Sequence, residues 1–143
     1  MTISRHNPPE LHVTPGYHHV TVVSEARLIL LAGQCPLRPD GTTVGRDRSP
    51  SDTDLGIALA QTDQIVANTM TALASVGATP DQVVRTTIYV ASSDQSVLAD
   101  VWERLNSSPL GPAFSTASTL VGVGALGFVG QLVELDVTAA LPA

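Results

Sequence analysis

Two carboxylates stand two residues apart in an apolar segment near the end of the chain, Leu132-Val-Glu134-Leu-Asp136-Val137. Side chains of a strand alternate, so Glu134 and Asp136 share one side with Leu132 and Thr138, while Val133, Leu135 and Val137 take the other. A carboxylate partly withdrawn from water holds its proton more tightly and can trade it with a substrate or hold a water. The same pair would also mark the solvated face of an edge strand, and spacing alone does not separate the two readings. Upstream, Ser118, Leu120, Gly122 and Gly124 form one row of a preceding strand, and Thr119, Val121, Val123 and Ala125 the other. The glycines leave room for a ligand or a second backbone.

Other reactive side chains are few. His18 and His19 are neighbours, so on a strand they point to opposite faces and cannot easily share a metal ion. Cys35 follows Gly33-Gln34 with no local base or cation to activate it, and reads as a small packing residue. Arg85, on the strand before the second helix, is expected to pair with an acid or face solvent. Neither GxSxG nor HExxH occurs, nor a glycine-rich phosphate loop, so no metal and no cofactor is implied.

Composition narrows the function further. The 143 residues fit one domain, 1–143, with a Pro-rich segment 1–14 expected to be loose. Thirteen acids against seven basic residues give a net charge of -6. The basic residues are all arginines, scattered singly from Arg5 to Arg104, so no cluster exists to neutralise phosphates, and neither DNA nor RNA is an expected partner. Without lysine there is no Schiff-base lysine and no phosphate-loop lysine. No apolar run reaches membrane-spanning length, the start lacks the pattern of a signal peptide, and a soluble cytoplasmic protein is expected.

The elements follow from periodicity. Residues 17–23 and 27–35, rich in β-branched and aliphatic side chains, read as a hairpin, and 42–45 as a short third strand at best. From Thr53 to Val76 apolar residues recur at three- and four-residue spacing, behind Ser51 and Asp52 as caps and ahead of Gly77, which predicts one long helix. Residues 81–92 read as a strand and 94–106 as a second helix with Val97, Leu98, Val101, Trp102 and Leu105 inward. Strands at about 118–126 and 132–141 close the chain, giving the order βββαβαββ. The strands around Leu28 to Leu31, Val83 to Val90 and Leu132 to Leu141 carry apolar residues on both faces, whereas two helices cover only one. The other face must then meet another copy of the chain, as a hydrophobic fraction of 43% beside 14% charged residues also suggests.

Several segments, in this order and spacing, resemble the reactive intermediate deaminase family, RidA/YjgF. They are "AGQCPLRPDGT", "QTDQIVANTMTALASVGATPDQVVRTTIYV", "VWERL" and the closing "TLVGVGAL" and "LVELDV", and the resemblance spans Pro15 to about Ala140. It implies an α+β, chorismate-mutase-like fold: a mixed sheet with two helices on one face, assembled as a homotrimer with ligand sites in clefts between subunits. The implied activity is hydrolysis of reactive enamines and imines to keto acids and ammonia.

By the same resemblance Glu134 aligns with the active-site glutamate, Tyr17 with the tyrosine of the first strand and Gly33 with a backbone-donating glycine. The motif arginine that clamps a substrate carboxylate is replaced by Ser118, and the asparagine of the second helix by Ala99. Losing a charge-assisted fork worth about 1.5–3 kcal/mol should weaken carboxylate binding by roughly 10- to 150-fold. A neutral small molecule, met by the hydroxyls of Ser118 or Thr119, would suffer no such loss. Two functions therefore stand side by side, an enamine/imine deaminase and a non-catalytic trimer binding a small metabolite in the same cleft. A ribonuclease, as some family members are described, is disfavoured by charge.

Overall fold

The computed structural model describes all 143 residues. Strands β1 (Thr2–His6), β2 (Val20–Ser24) and β3 (Ala26–Leu30) precede helix α1 (Asp54–Ser75). Then follow β4 (Val83–Val90), helix α2 (Gln95–Asn106), β5 (Ala117–Gly122) and β6 (Val133–Pro142). Four strands form the main sheet in the order β3-β6-β4-β5; β6 runs antiparallel to both its neighbours and β5 parallel to β4. The parallel pair is the product of the α2 crossover, which carries the chain back to the end where β4 began. Both helices lie on one face, over a core of Ile65, Leu73, Ile88, Val101, Leu105, Phe114, Leu135 and Val137. The fold is thus the expected α+β arrangement of a mixed sheet with two helices on one side.

Helix α1 starts where Thr53, not Ser51 or Asp52, accepts from the Gly56 N–H, and it ends at Gly77, whose φ of 75° lets Gly77 and Ala78 donate back to Ala74 and Leu73. Its buried stripe includes the polar Gln61, Thr62 and Thr69 beside the apolar Ile57, Ile65, Val66 and Leu73. The threonines bury at low cost because their hydroxyls donate to Ala58 O and Ile65 O one turn back.

Two expectations are corrected. Residues 2–6 are not loose; they pair in full register with β2, Thr2 with Ser24 through His6 with Val20. The anticipated hairpin of 17–23 with 27–35 is absent because only Glu25, at φ 53°, links β2 to β3, too few residues for a hairpin turn, and the two strands enter different sheets. The closing strands β5 and β6 lie on either side of β4. Residues 42–45 contribute only a bridge of Leu37 with Thr43.

Candidate functional site

Register decides which side chains can meet. Thr86 stands opposite Ser118 and Val137, while Thr87 stands opposite Thr119 and Asp136, and Tyr89 opposite Val121 and Glu134. Residues opposite one another share a face and successive residues alternate. Ser118 therefore lies on the helix-covered side, and Thr119, Glu134 and Asp136 on the side that no helix covers. Leu28 and Leu30 join the uncovered side and are 61% and 76% exposed.

Glu134 is half-buried in a nook made by the loop that follows β3. The loop is tied to β6 by reciprocal backbone hydrogen bonds between Gln34 and Leu135, which bring Gly33 and Cys35 against the carboxylate. The Cys35 thiol donates to Glu134 Oε1 at 2.8 Å, and the Gln131 amide approaches the same oxygen at 3.5 Å. Oε2 has no donor within the chain. A side-chain carbon on Gly33 would lie 3.1 Å from the carboxyl carbon, so glycine is what permits this approach. The Gly33 N–H makes no hydrogen bond within the chain and remains available. Burial, then the hydrogen bond and charge of Glu134, push the Cys35 thiol from the ordinary 9.0 up to about 11, against a smaller opposing effect of Gln131. At neutral pH it is a hydrogen-bond donor and not a nucleophile.

Helix α1 fixes this nook from behind. Asn68 donates to Cys35 O and Leu37 O, at 3.1 and 2.9 Å. Gln61, fully buried, donates to Val44 O and Gly130 O and accepts from the Leu132 N–H at 2.7 Å. One amide thus clasps the two loops that flank β6, and Gln131 continues the chain of contacts to Glu134 by donating to Val133 O.

Tyr17 and Ser118 meet elsewhere. With Pro15, Ala99, Trp102 and Leu120 they line a cavity of about 310 Å³ between α2 and β5. Tyr17 stands edge-on to Trp102, which is edge-on to Phe114. The Tyr17 hydroxyl is 3.2 Å from His12 Nε2. The Ser118 hydroxyl accepts from Thr86 Oγ1 at 2.6 Å and is within reach of the carbonyls of Phe114 and Thr116, at 3.2 and 3.3 Å. Its one proton is committed to the backbone. Thr119, on the other face, accepts from Arg85 at 3.2 Å, so the adjacent hydroxyls do not serve one ligand. His18 reaches Ser115 O and His19 Nε2 reaches His12 O, and no cluster of three metal-binding side chains forms.

Of the residues singled out from the sequence, Glu134 and Gly33 come together, as do Tyr17 and Ser118, while Thr119 stands apart with Arg85. Cys35, read as packing, touches the glutamate instead. Gln61 and Gln131 carried no sequence signal beyond two polar residues among apolar ones, and only the close passage of loops reveals their work.

The endoribonuclease L-PSP family model matches residues 10–141. No curated protein matches the chain. Among solved structures, YyfB of Yersinia pestis, described as a protein of unknown function of the conserved Rid family, is 30% identical over 99% of this chain and 100% of its own, with a TM-score of 0.78. YyfA of the same organism, described in the same terms, is 28% identical over 90% of each chain, with a TM-score of 0.59. A Mycobacterium tuberculosis member of the YjgF/YER057c/UK114 family shares the fold at 24% identity and a TM-score of 0.57, over 98% of this chain and 100% of its own. No helix is long and apolar enough to cross a membrane. With nearly its whole length matched by the family model and by a Rid protein of the same extent, the chain belongs to the RidA/YjgF family, the endoribonuclease L-PSP proteins.

Proposed function

We propose that the chain is a hydrolase of reactive imines and enamines, active as a homotrimer, with Glu134 acting on the attacking water in a groove between copies. The observation that carries this reading is the half-buried carboxylate of Glu134, packed against Gly33, with Oε1 engaged by the Cys35 thiol while Oε2 and the Gly33 N–H have no partner within the chain. Oε2 accepts a proton from water as the water oxygen adds to the imine carbon. Glu134 passes that proton to the nitrogen, giving a carbinolamine and restoring the carboxylate; the carboxylate then carries the carbinolamine hydroxyl proton to the nitrogen as the carbon–nitrogen bond breaks, so ammonia leaves and a carbonyl compound remains. An enamine is first protonated at carbon to give the imine. Gly33 N–H is suited to hold the polar end of the substrate during this sequence.

The exposure of Leu28 and Leu30 on the same face supports assembly through it. Glu134 and the cavity of Tyr17 and Ser118 lie on opposite sides of one sheet, so a single small substrate touching both takes them from different copies. β5 is an edge strand, and the cavity beside it is open to such a neighbour.

RNA cleavage fits the molecule less well. Arg48 and Arg104 are paired with Asp54 and Asp63, Arg5 holds the carbonyls of Asp81 and Val83, and thirteen acids outnumber seven arginines.

The test is to generate 2-aminoacrylate and, separately, an uncharged imine in situ, and to follow ammonia release with wild type and Glu134→Gln. Wild type should exceed spontaneous hydrolysis, and the variant should lose about 10²- to 10⁴-fold of that gain, the range for a positioned acid–base group. The second reading, a non-catalytic binder, is favoured by the committed Ser118 proton, which leaves no carboxylate clamp in the cavity. Spontaneous rates with both proteins and both substrates would select it.

A further inference from the structure

The cavity between α2 and β5 has a chemical character of its own. Pro15, Ala99, Leu120 and the rings of Tyr17 and Trp102 form its walls, and no lysine, arginine or histidine is among them. Its only hydroxyls are already engaged: Ser118 Oγ by Thr86 and the backbone, and Tyr17 Oη by His12. The arginine nearest in register, Arg85, is on the opposite face and directed at Thr119. An anion entering this space would leave water and find no cation, with the Trp102 indole N–H the one wall donor that has no partner in the chain, whereas an apolar group would lose nothing. A volume of about 310 Å³ is at the small end of ligand pockets, enough for a single ring or a short branched chain.

We infer that this cavity selects the uncharged, apolar body of the substrate, so that the chain acts on imines or enamines that carry an aromatic or aliphatic side chain and no carboxylate. The inference rests on the hydrolase reading for its reaction and on the cavity alone for its selectivity. Ala99 sits at an exposed position of α2 and Ser118 at the inner end of β5, so a larger residue at either changes what the cavity admits without touching the Glu134 nook.

Trp102 is the only tryptophan of the chain and forms one wall, so its fluorescence reports occupancy directly, with or without turnover. The full-length protein is titrated with benzamide and benzoate, a neutral and an anionic probe of one shape. Benzamide should perturb the emission with at least about tenfold tighter apparent binding, a gap of the order expected for an unpaired buried charge. Ala99→Phe should abolish the response to benzamide, and Ser118→Arg should reverse the preference toward benzoate. Where Ser118→Arg fails to fold, Ala99→Phe still decides. Equal or tighter binding of benzoate to wild type would overturn the inference. So would an emission unaffected by either probe, the result expected if a side chain of a neighbouring copy fills the cavity. Benzamide binding without any imine turnover would sink the hydrolase reading and leave the cavity's selectivity standing. Turnover of 2-aminoacrylate at least as fast as that of a neutral imine would keep the hydrolase and sink the selectivity.

Discussion

The two faces of the main sheet are built from the same strands and have opposite characters. Toward the helices, Val83, Ile88, Val90, Val133, Leu135 and Ala139 are all fully buried, and the few polar groups among them, Thr86 and Gln61, are hydrogen-bonded. On the other side stand Arg85, Tyr89, Thr119, Glu134 and Asp136, with Leu28 and Leu30 bare beside them. One face is finished within a single chain, and the other combines reactive groups with apolar surface that one chain does not cover. Chemistry placed on a finished face would have to be buried at the full cost of desolvation, whereas groups on an unfinished face, such as half-buried Glu134, keep partial contact with water. That difference explains why adjacent residues such as Ser118 and Thr119 serve separate surroundings.

Substitutions on the two faces should therefore fail in different ways. The largest effect belongs to the finished face: Phe114→Ala, which empties the contact with Trp102, should cost about 3–5 kcal/mol in urea unfolding. A loss below 1 kcal/mol would mean that the region is less tightly packed than its burial implies. On the unfinished face, Gly33→Ala should leave unfolding nearly unchanged, yet its methyl group, 3.1 Å from the Glu134 carboxyl carbon, should displace that group and lower imine turnover by roughly 10- to 100-fold. Unaltered turnover would show that the nook does not hold the carboxylate where it works.

A smaller, pH-dependent effect concerns Cys35. With its thiol pushed up to about 11, only about one molecule in a thousand is thiolate at pH 8, and alkylation by iodoacetamide should climb about tenfold per pH unit up to that value. Because the folded chain keeps the neutral thiol, its contribution to stability is intact below 9.0 and is lost as the pH rises through about 11. Rapid alkylation at pH 7.5 would contradict the donor role toward Glu134. The smallest change is expected on the outside of the helices, where Arg104 holds Asp63 through two hydrogen bonds and lowers its carboxyl below 3.8. Asp63→Asn should cost less than about 1 kcal/mol at neutral pH, and less still at acid pH, since that stabilisation exists above 3.8 and vanishes as the carboxyl protonates. A loss comparable to that of Phe114→Ala would mean the pair does far more than a surface contact.

Much of the fold was legible because it is written locally. The three-and-four spacing from Ile57 to Leu73 and the glycine at 77 mark α1 to within a residue or two, and alternation puts Glu134 and Asp136 on one side of β6. What was not legible is pairing between distant segments. Nothing near Thr2 says that it will lie beside Ser24, and nothing in 118–141 says that β4 will separate the last two strands. The site divides along the same line. Glu134 stood out as one of two carboxylates on a shared side of an apolar strand, Tyr17 and Gly33 came from a family resemblance, and alternation already separated Ser118 from Thr119. Cys35 was misjudged because its partner is 99 residues away, and the role of Gln61 depends on loops it meets only after folding.

Everything proposed for Glu134 depends on the bare face being covered by sister chains. The most direct measurement is sedimentation of the wild type beside Leu30→Asp, which puts a charge on that face at a position already 76% exposed in one chain. The wild type should sediment with the mass of three chains, and the variant as folded single chains with unchanged far-ultraviolet circular dichroism. A wild type that remains a well-folded single chain at every concentration would contradict the groove, and with it the place assigned to its carboxylate.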